Sequence, residues 1–64
     1  MKLGTRLKQL RTAKHMTQTV LAKRIGATQG FISQLEGGYD KAPSLPMLRR
    51  LAKALKVPVG KLIE

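Results

Sequence analysis

The apolar positions of this chain recur at helical spacing, in blocks divided by glycine, serine, threonine and proline. Leu3, Leu7 and Leu10 mark one face, while Lys2, Arg6, Lys8, Gln9, Arg11 and Lys14 fill the others. That pattern predicts an amphipathic first helix from Lys2 to about Lys14, closed by Lys14 and His15, with Met16 turned into the core. The next stretch, QTVLAKRIGATQGFISQLE from Gln18 to Glu36, organises the rest. Val20, Leu21 and Ile25 keep one helical phase before Gly26, and Phe31, Ile32 and Leu35 keep the same spacing in a new phase after it. Two short helices crossing at a steep angle over a tight turn account for the change of phase. Gly26 suits the left-handed backbone that ends the first of them. Thr17 and Thr28 are placed to cap the two starts, and the small Ala22 lets the backbones approach.

A second amphipathic block follows a turn-rich segment at Gly37 to Pro43. Ser44 caps it, Pro46 stands in its first turn where a missing N–H is harmless, and Leu45, Leu48, Leu51, Ala52 and Leu55 form its expected buried stripe. Arg49, Arg50, Lys53 and Lys56 take the wet face. Pro58 opens a short last helix in which Val59, Leu62 and Ile63 complete the core or a subunit contact. The expected fold is all-α, five helices in one compact domain over residues 1–64, without repeats or linkers.

Composition narrows the function. Thirteen Lys and Arg stand against three acids, a formal charge of +10 with a pI near 11.1, a balance that favours a polyanionic partner. Apolar residues at core spacing and few aromatic anchors argue against a membrane surface as that polyanion. At 64 residues the chain buries only about 60% of its unfolded surface, too little to enclose a deep cleft. There is no cysteine. The single His15 has no suitably placed acids among Glu36, Asp40 and Glu64, so neither a metal nor another cofactor is expected. No nucleophile and base pair or phosphate loop points to an enzyme. No apolar run nears the roughly 18 residues of a membrane span, and MKLGTRLKQL lacks the core and cleavage site of a secretory signal. A cytoplasmic protein is expected.

The spacing of Leu21, Ala22, Ile25, Gly26, Ala27, Ile32 and Leu35 with the flanking LKQLRTAKHMTQTVLAKRIG, TQGFISQLEGG and PSLPMLRRLAKALKVPVGKLIE resembles the phage repressor and Cro family, the XRE family, along essentially the whole chain. The resemblance implies a repressor-like helix-turn-helix fold, sequence-specific binding to double-stranded DNA and an ion pair between Arg11 and Glu36 that ties the recognition helix to the first helix. It also implies a loop at Tyr39 to Pro43 that runs along the DNA backbone. His15 stands where many relatives have glycine, which suggests a more strained helix end. The glutamates that relatives carry after the equivalent of Gln18 are absent, so repression by operator occupancy is expected rather than activation.

The third helix, Thr28 to about Glu36, leaves Gln29, Gly30, Ser33 and Gln34 outward. A solvated face usually carries Lys and Glu; a small uncharged one fits the major groove, where short donors and acceptors meet base edges. Thr28, Gln29, Gly30, Ser33 and Gln34 are therefore the expected base-contacting positions, with Gly30 allowing close approach. Thr17, Gln18, Tyr39, Lys41 and Ser44 are the expected phosphate contacts, joined by the start of the fourth helix. So small a domain covers few base pairs, so a homodimer on two half-sites is expected. The alternatives are an antitoxin or restriction-controller regulator with a further protein partner, a charge-driven nonspecific nucleic-acid binder, and a protein-interaction bundle.

Overall fold

The computed structural model describes residues 3–38 and 43–63. Lys2, Tyr39, Lys41 and Glu64, all named above, lie outside the described residues, and so do Asp40 and Ala42. Within them the chain is helical: α1 Leu3–Ala13, α2 Gln18–Ile25, α3 Gln29–Gly37, α4 Leu45–Leu55 and α5 Gly60–Ile63. No strand occurs among the described residues.

Each boundary has a local cause. Thr17, Thr28 and Ser44 take extended backbone just before α2, α3 and α4, and their hydroxyl oxygens accept from the N–H of Val20, Phe31 and Met47 at 3.1, 3.1 and 3.4 Å. Each satisfies one donor that the helix start leaves over. Thr28 is thus the cap, and α3 proper begins at Gln29. Three of the helix ends close in one way. Gly26 is left-handed at φ 74°, its N–H bonded to Lys23 O and that of Ala27 to Ala22 O at 2.9 Å. The pattern repeats at His15, φ 58°, and Lys56, φ 57°: the N–H groups of His15 and Met16 donate to Thr12 O and Arg11 O, and those of Lys56 and Val57 to Lys53 O and Ala52 O. All three are Schellman ends. Of these three residues Gly26 alone lacks a Cβ, so α1 and α4 are closed by residues that carry some strain.

The core collects one stripe from every helix: Leu7, Leu21, Ala22, Ile25, Ile32, Leu35, Leu51, Ala52, Leu55 and Leu62. α3 packs against both α1 and α2, α4 lies along α2, and α5 closes the far side against α1 and α4. Met16, Phe31, Leu48 and Val59 are half-buried around this centre. Among the described residues, three large apolar side chains stand outside it. Val20, Leu45 and Ile63 are 39%, 53% and 64% exposed, so Leu45 does not belong to the buried stripe of α4, nor Ile63 to that of α5. Both sit at helix ends, where no further element among the described residues covers the face that the spacing assigns to the core.

Gly4 is the contact that periodicity does not announce. It is buried, and a Cβ on it would lie 2.3 Å from Leu35 O and 2.8 Å from Glu36 O. The start of α1 therefore crosses the last turn of α3 at backbone contact, which only glycine permits. Gly4, Leu7 and Arg11 share one face of α1, all three buried, so this crossing sets how α3 is held.

Candidate nucleic-acid interface

α3 carries no charge on its exposed side. Gln29, Gly30, Ser33 and Gln34 are exposed, Ile32 and Leu35 are buried, and Phe31 is half-buried. The only ionisable group on the helix is Glu36, whose carboxylate is turned inward. The cations lie elsewhere: Lys8 on α1, Lys23 and Arg24 on α2, Arg49, Arg50 and Lys53 on α4, then Lys56 and Lys61, all exposed. Glu36 is the one acid among the described residues, so nothing there offsets the positive field around the neutral face.

The inner side of α3 is fixed by charge. Arg11 Nε donates to Glu36 Oε2 at 2.6 Å and Nη2 to Oε1 at 3.1 Å, while Nη1 donates to Met16 O at 2.6 Å. The side chains are only 9% and 4% exposed. A two-pronged guanidinium–carboxylate contact this well covered, with the third donor also satisfied, locks the angle between α1 and α3 far more firmly than a surface pair would.

Glu36 Oε1 accepts a further bond from Gln18 Nε2 at 3.0 Å, and Gln18 Oε1 accepts from Gln29 Nε2 at 2.5 Å. The first residues of α2 and α3 thus meet side chain to side chain, with the caps Thr17 and Thr28 beside them. Two helix starts, each with spare N–H groups and partial positive charge, share one edge. Gln18, expected on a phosphate, is half-buried and uses its carbonyl and one N–H within the protein, which leaves one N–H. The hydroxyls of Thr17, Thr28 and Ser44 accept from backbone N–H and keep their own hydrogen to donate. Tyr39 and Lys41 lie outside the described residues. The sequence reading missed the two bonds of Gln18 and the crossing at Gly4. The glutamines left no signal because their meeting depends on the crossing of α2 and α3; Gly4 left one, a glycine inside a helical pattern.

Gly30 sits in the first turn of α3, where an added Cβ meets only Thr28 Oγ1, at 4.0 Å. The fold has room for it. Gly30→Ala is therefore expected to stabilise the helix by about 0.5 kcal/mol and raise Tm by about 2–4 °C in a thermal melt. A lowered Tm would mean that the fold itself requires this glycine.

Other chemistries find little here. Among the described residues no group of three or more His, Cys, Asp or Glu lies together as a metal set, and no helix is long and apolar enough to cross a membrane. A groove of about 140 Å³ between the start of α1 and the end of α3, lined by Gly4, Thr5, Glu36, Gly37 and Gly38, is smaller than the roughly 300–1,000 Å³ of small-molecule sites.

Comparison with known proteins points the same way. The family described as Helix-turn-helix matches residues 7–62. The uncharacterized HTH-type transcriptional regulator RghRB of Bacillus subtilis is 35% identical over 60 residues, covering 94% of this chain and 43% of RghRB. The crystal structure of the restriction-modification controller protein C.AhdI from Aeromonas hydrophila superimposes with TM-score 0.88 at 35% identity, over 94% of this chain and 86% of that one. That of SinR, the master regulator for biofilm formation, in complex with DNA superimposes with TM-score 0.91 at 29% identity, over 97% and 98%. The chain spans about half the length of the curated relatives it matches, 43% of RghRB and 56% of SinR from Bacillus subtilis. With its α2–turn–α3 arrangement and a family match that runs from within α1 into α5, the chain belongs to the helix-turn-helix family of the phage repressor and Cro type, the XRE family.

Proposed function

We propose that residues 1–64 act as one DNA-binding domain that recognises a specific double-stranded operator and regulates transcription, as a repressor by occupancy. The observation that carries this reading is the exposed neutral face of α3 within a chain of formal charge +10. α3 is an α-helix, roughly 10–12 Å across with its side chains, a match for a major groove about 12 Å wide. Gln29 and Gln34 read base edges, Thr28 and Ser33 contact a base or a nearby phosphate, and Gly30 lets the backbone come close. Thr17, Gln18, Tyr39, Lys41, Ser44 and the start of α4 hold phosphates and fix the register. Two copies occupy half-sites about one helical turn apart. The protein works in the cytoplasm as a binding protein and not as an enzyme.

The relatives support the reading at the level of their names: transcriptional regulators, one of them solved in complex with DNA. Similarity to C.AhdI at TM-score 0.88 favours a second reading within the same chemistry, a restriction-controller type regulator.

The test is selection of bound duplexes from a random pool, then competition of the selected site against scrambled DNA at physiological salt. Specific reading predicts a preference of about 10³-fold or more. Equal competition would leave charge-driven binding alone, and no salt-dependent binding would leave a protein-interaction bundle. The contacts separate further by mutation. Gln29→Ala should weaken the selected site and leave scrambled DNA unchanged, whereas Lys41→Ala should weaken both alike and reduce the slope of log K against log salt by about 1. Gly30→Ala should weaken the selected site while raising Tm.

A further inference from the structure

Four side chains from three helices form one chain of hydrogen bonds that ends on the outward face of α3, and its chemistry has a direction. Glu36 accepts from Arg11 at both oxygens, and its Oε1 also accepts from Gln18 Nε2. Gln18 Oε1 accepts from Gln29 Nε2. A carboxylate held by a guanidinium has lone pairs and no hydrogen to give, so Gln18 must turn its NH2 group toward Glu36. Its carbonyl is then left for Gln29, which must answer with its own NH2 group.

We propose that Glu36 is a positioning residue for base recognition: through Gln18 it fixes which end of the Gln29 amide is tied to the protein, and so favours adenine over guanine at the base pair Gln29 meets. This rests on the reading of α3 as the helix in the major groove. With one N–H committed to Gln18, Gln29 keeps one N–H donor and its carbonyl acceptor for the outside. Adenine offers the matching pair, N7 as acceptor and the N6 amino group as donor. Guanine offers two acceptors, N7 and O6, so the Gln29 carbonyl would face O6 with no hydrogen between them.

The reversed chain reads differently. Were Gln18 to offer its NH2 group outward, Gln29 would accept through Oε1 and present both N–H groups to the groove, a match for guanine. What forbids the reversal is the acceptor at the inner end. Glu36→Gln keeps the shape of that end but supplies a donor as well, so both directions become available. Ile25→Val removes one buried methylene group and keeps both the carboxylate and its guanidinium, so it lowers stability without freeing the direction.

The experiment measures dissociation constants on duplexes of the selected site that differ only by A·T or G·C at the pair whose preference Gln29→Ala abolishes. The unaltered protein should prefer adenine by about tenfold or more, within the range one bidentate contact supports. Glu36→Gln should narrow that ratio to about threefold or less, chiefly by gaining on guanine. Ile25→Val should keep the ratio while its Tm falls. Gln18→Leu, which cuts the chain in the middle, should also narrow the ratio and carries the comparison if Glu36→Gln does not fold. An unchanged ratio in Glu36→Gln, or in Gln18→Leu where that variant stands in, overturns the proposal; so does an equal narrowing in Ile25→Val, which would mark a purely structural effect. If no base pair loses its preference in Gln29→Ala, the major-groove reading itself fails and takes this inference with it.

Discussion

Gly4→Ala is expected to lower Tm by about 10–20 °C, although alanine is the better helix former. At an exposed helical site the same exchange would stabilise by about 1 kcal/mol. Here the new methyl would lie 2.3 Å from Leu35 O and 2.8 Å from Glu36 O. Both are backbone atoms at the end of α3, which no rotamer change can move aside. The start of α1 must lift away, and it takes Leu7 and Arg11 with it, because they share the face of Gly4. Overpacking of this kind costs about 1–3 kcal/mol, at the upper end when backbone opposes it. In a domain of this size each kcal/mol shifts Tm by about 4–8 °C. A melt showing Tm unchanged or raised would mean that α1 and α3 do not approach as described.

Glu36→Ala is expected to bring the protein close to unfolding at 37 °C. The variant strands Arg11, a guanidinium with 9% of its side chain exposed, and removes the acceptor of Gln18. Breaking a buried pair from one side costs about 3–5 kcal/mol, comparable with the whole stability of a small domain. Arg11→Ala should cost nearly as much, by stranding Glu36 and leaving Met16 O without its donor. The double variant strands neither charge, so it should lose less than the sum of the singles, with a coupling of about 1.5–3 kcal/mol in urea unfolding. Additive losses would show that the two groups act independently.

Most of the fold was legible because its determinants are local. Thr17, Thr28, Ser44 and Gly26 mark helix ends through bonds made within a few residues, and the stripes through Leu7, Leu21, Ile25, Ile32, Leu35, Leu51, Leu55 and Leu62 follow from helical spacing. Leu45 and Ile63 show where this stops. Spacing names a face but not whether another element reaches far enough to cover it. The Arg11–Glu36 pair was legible only through family resemblance, since it joins residues 25 apart in sequence. Gly4 against α3 and Gln18 against Glu36 and Gln29 depend on how helices cross, which no local pattern encodes. The exposed face of α3 was read from its lack of charge, a property of composition rather than contact.

The central claim is that the neutral face of α3 touches bases. It is tested most directly by titrating isotope-labelled protein with its selected duplex and following the side-chain NH2 resonances of Gln29 and Gln34 by NMR. Both should shift strongly on the selected duplex and less on scrambled DNA, with the backbone amides of Thr28 to Ser33 moving alongside. If the largest shifts fall on α4 and α5 while the Gln29 and Gln34 resonances stay in place, DNA binds through the cationic helices and the account is contradicted.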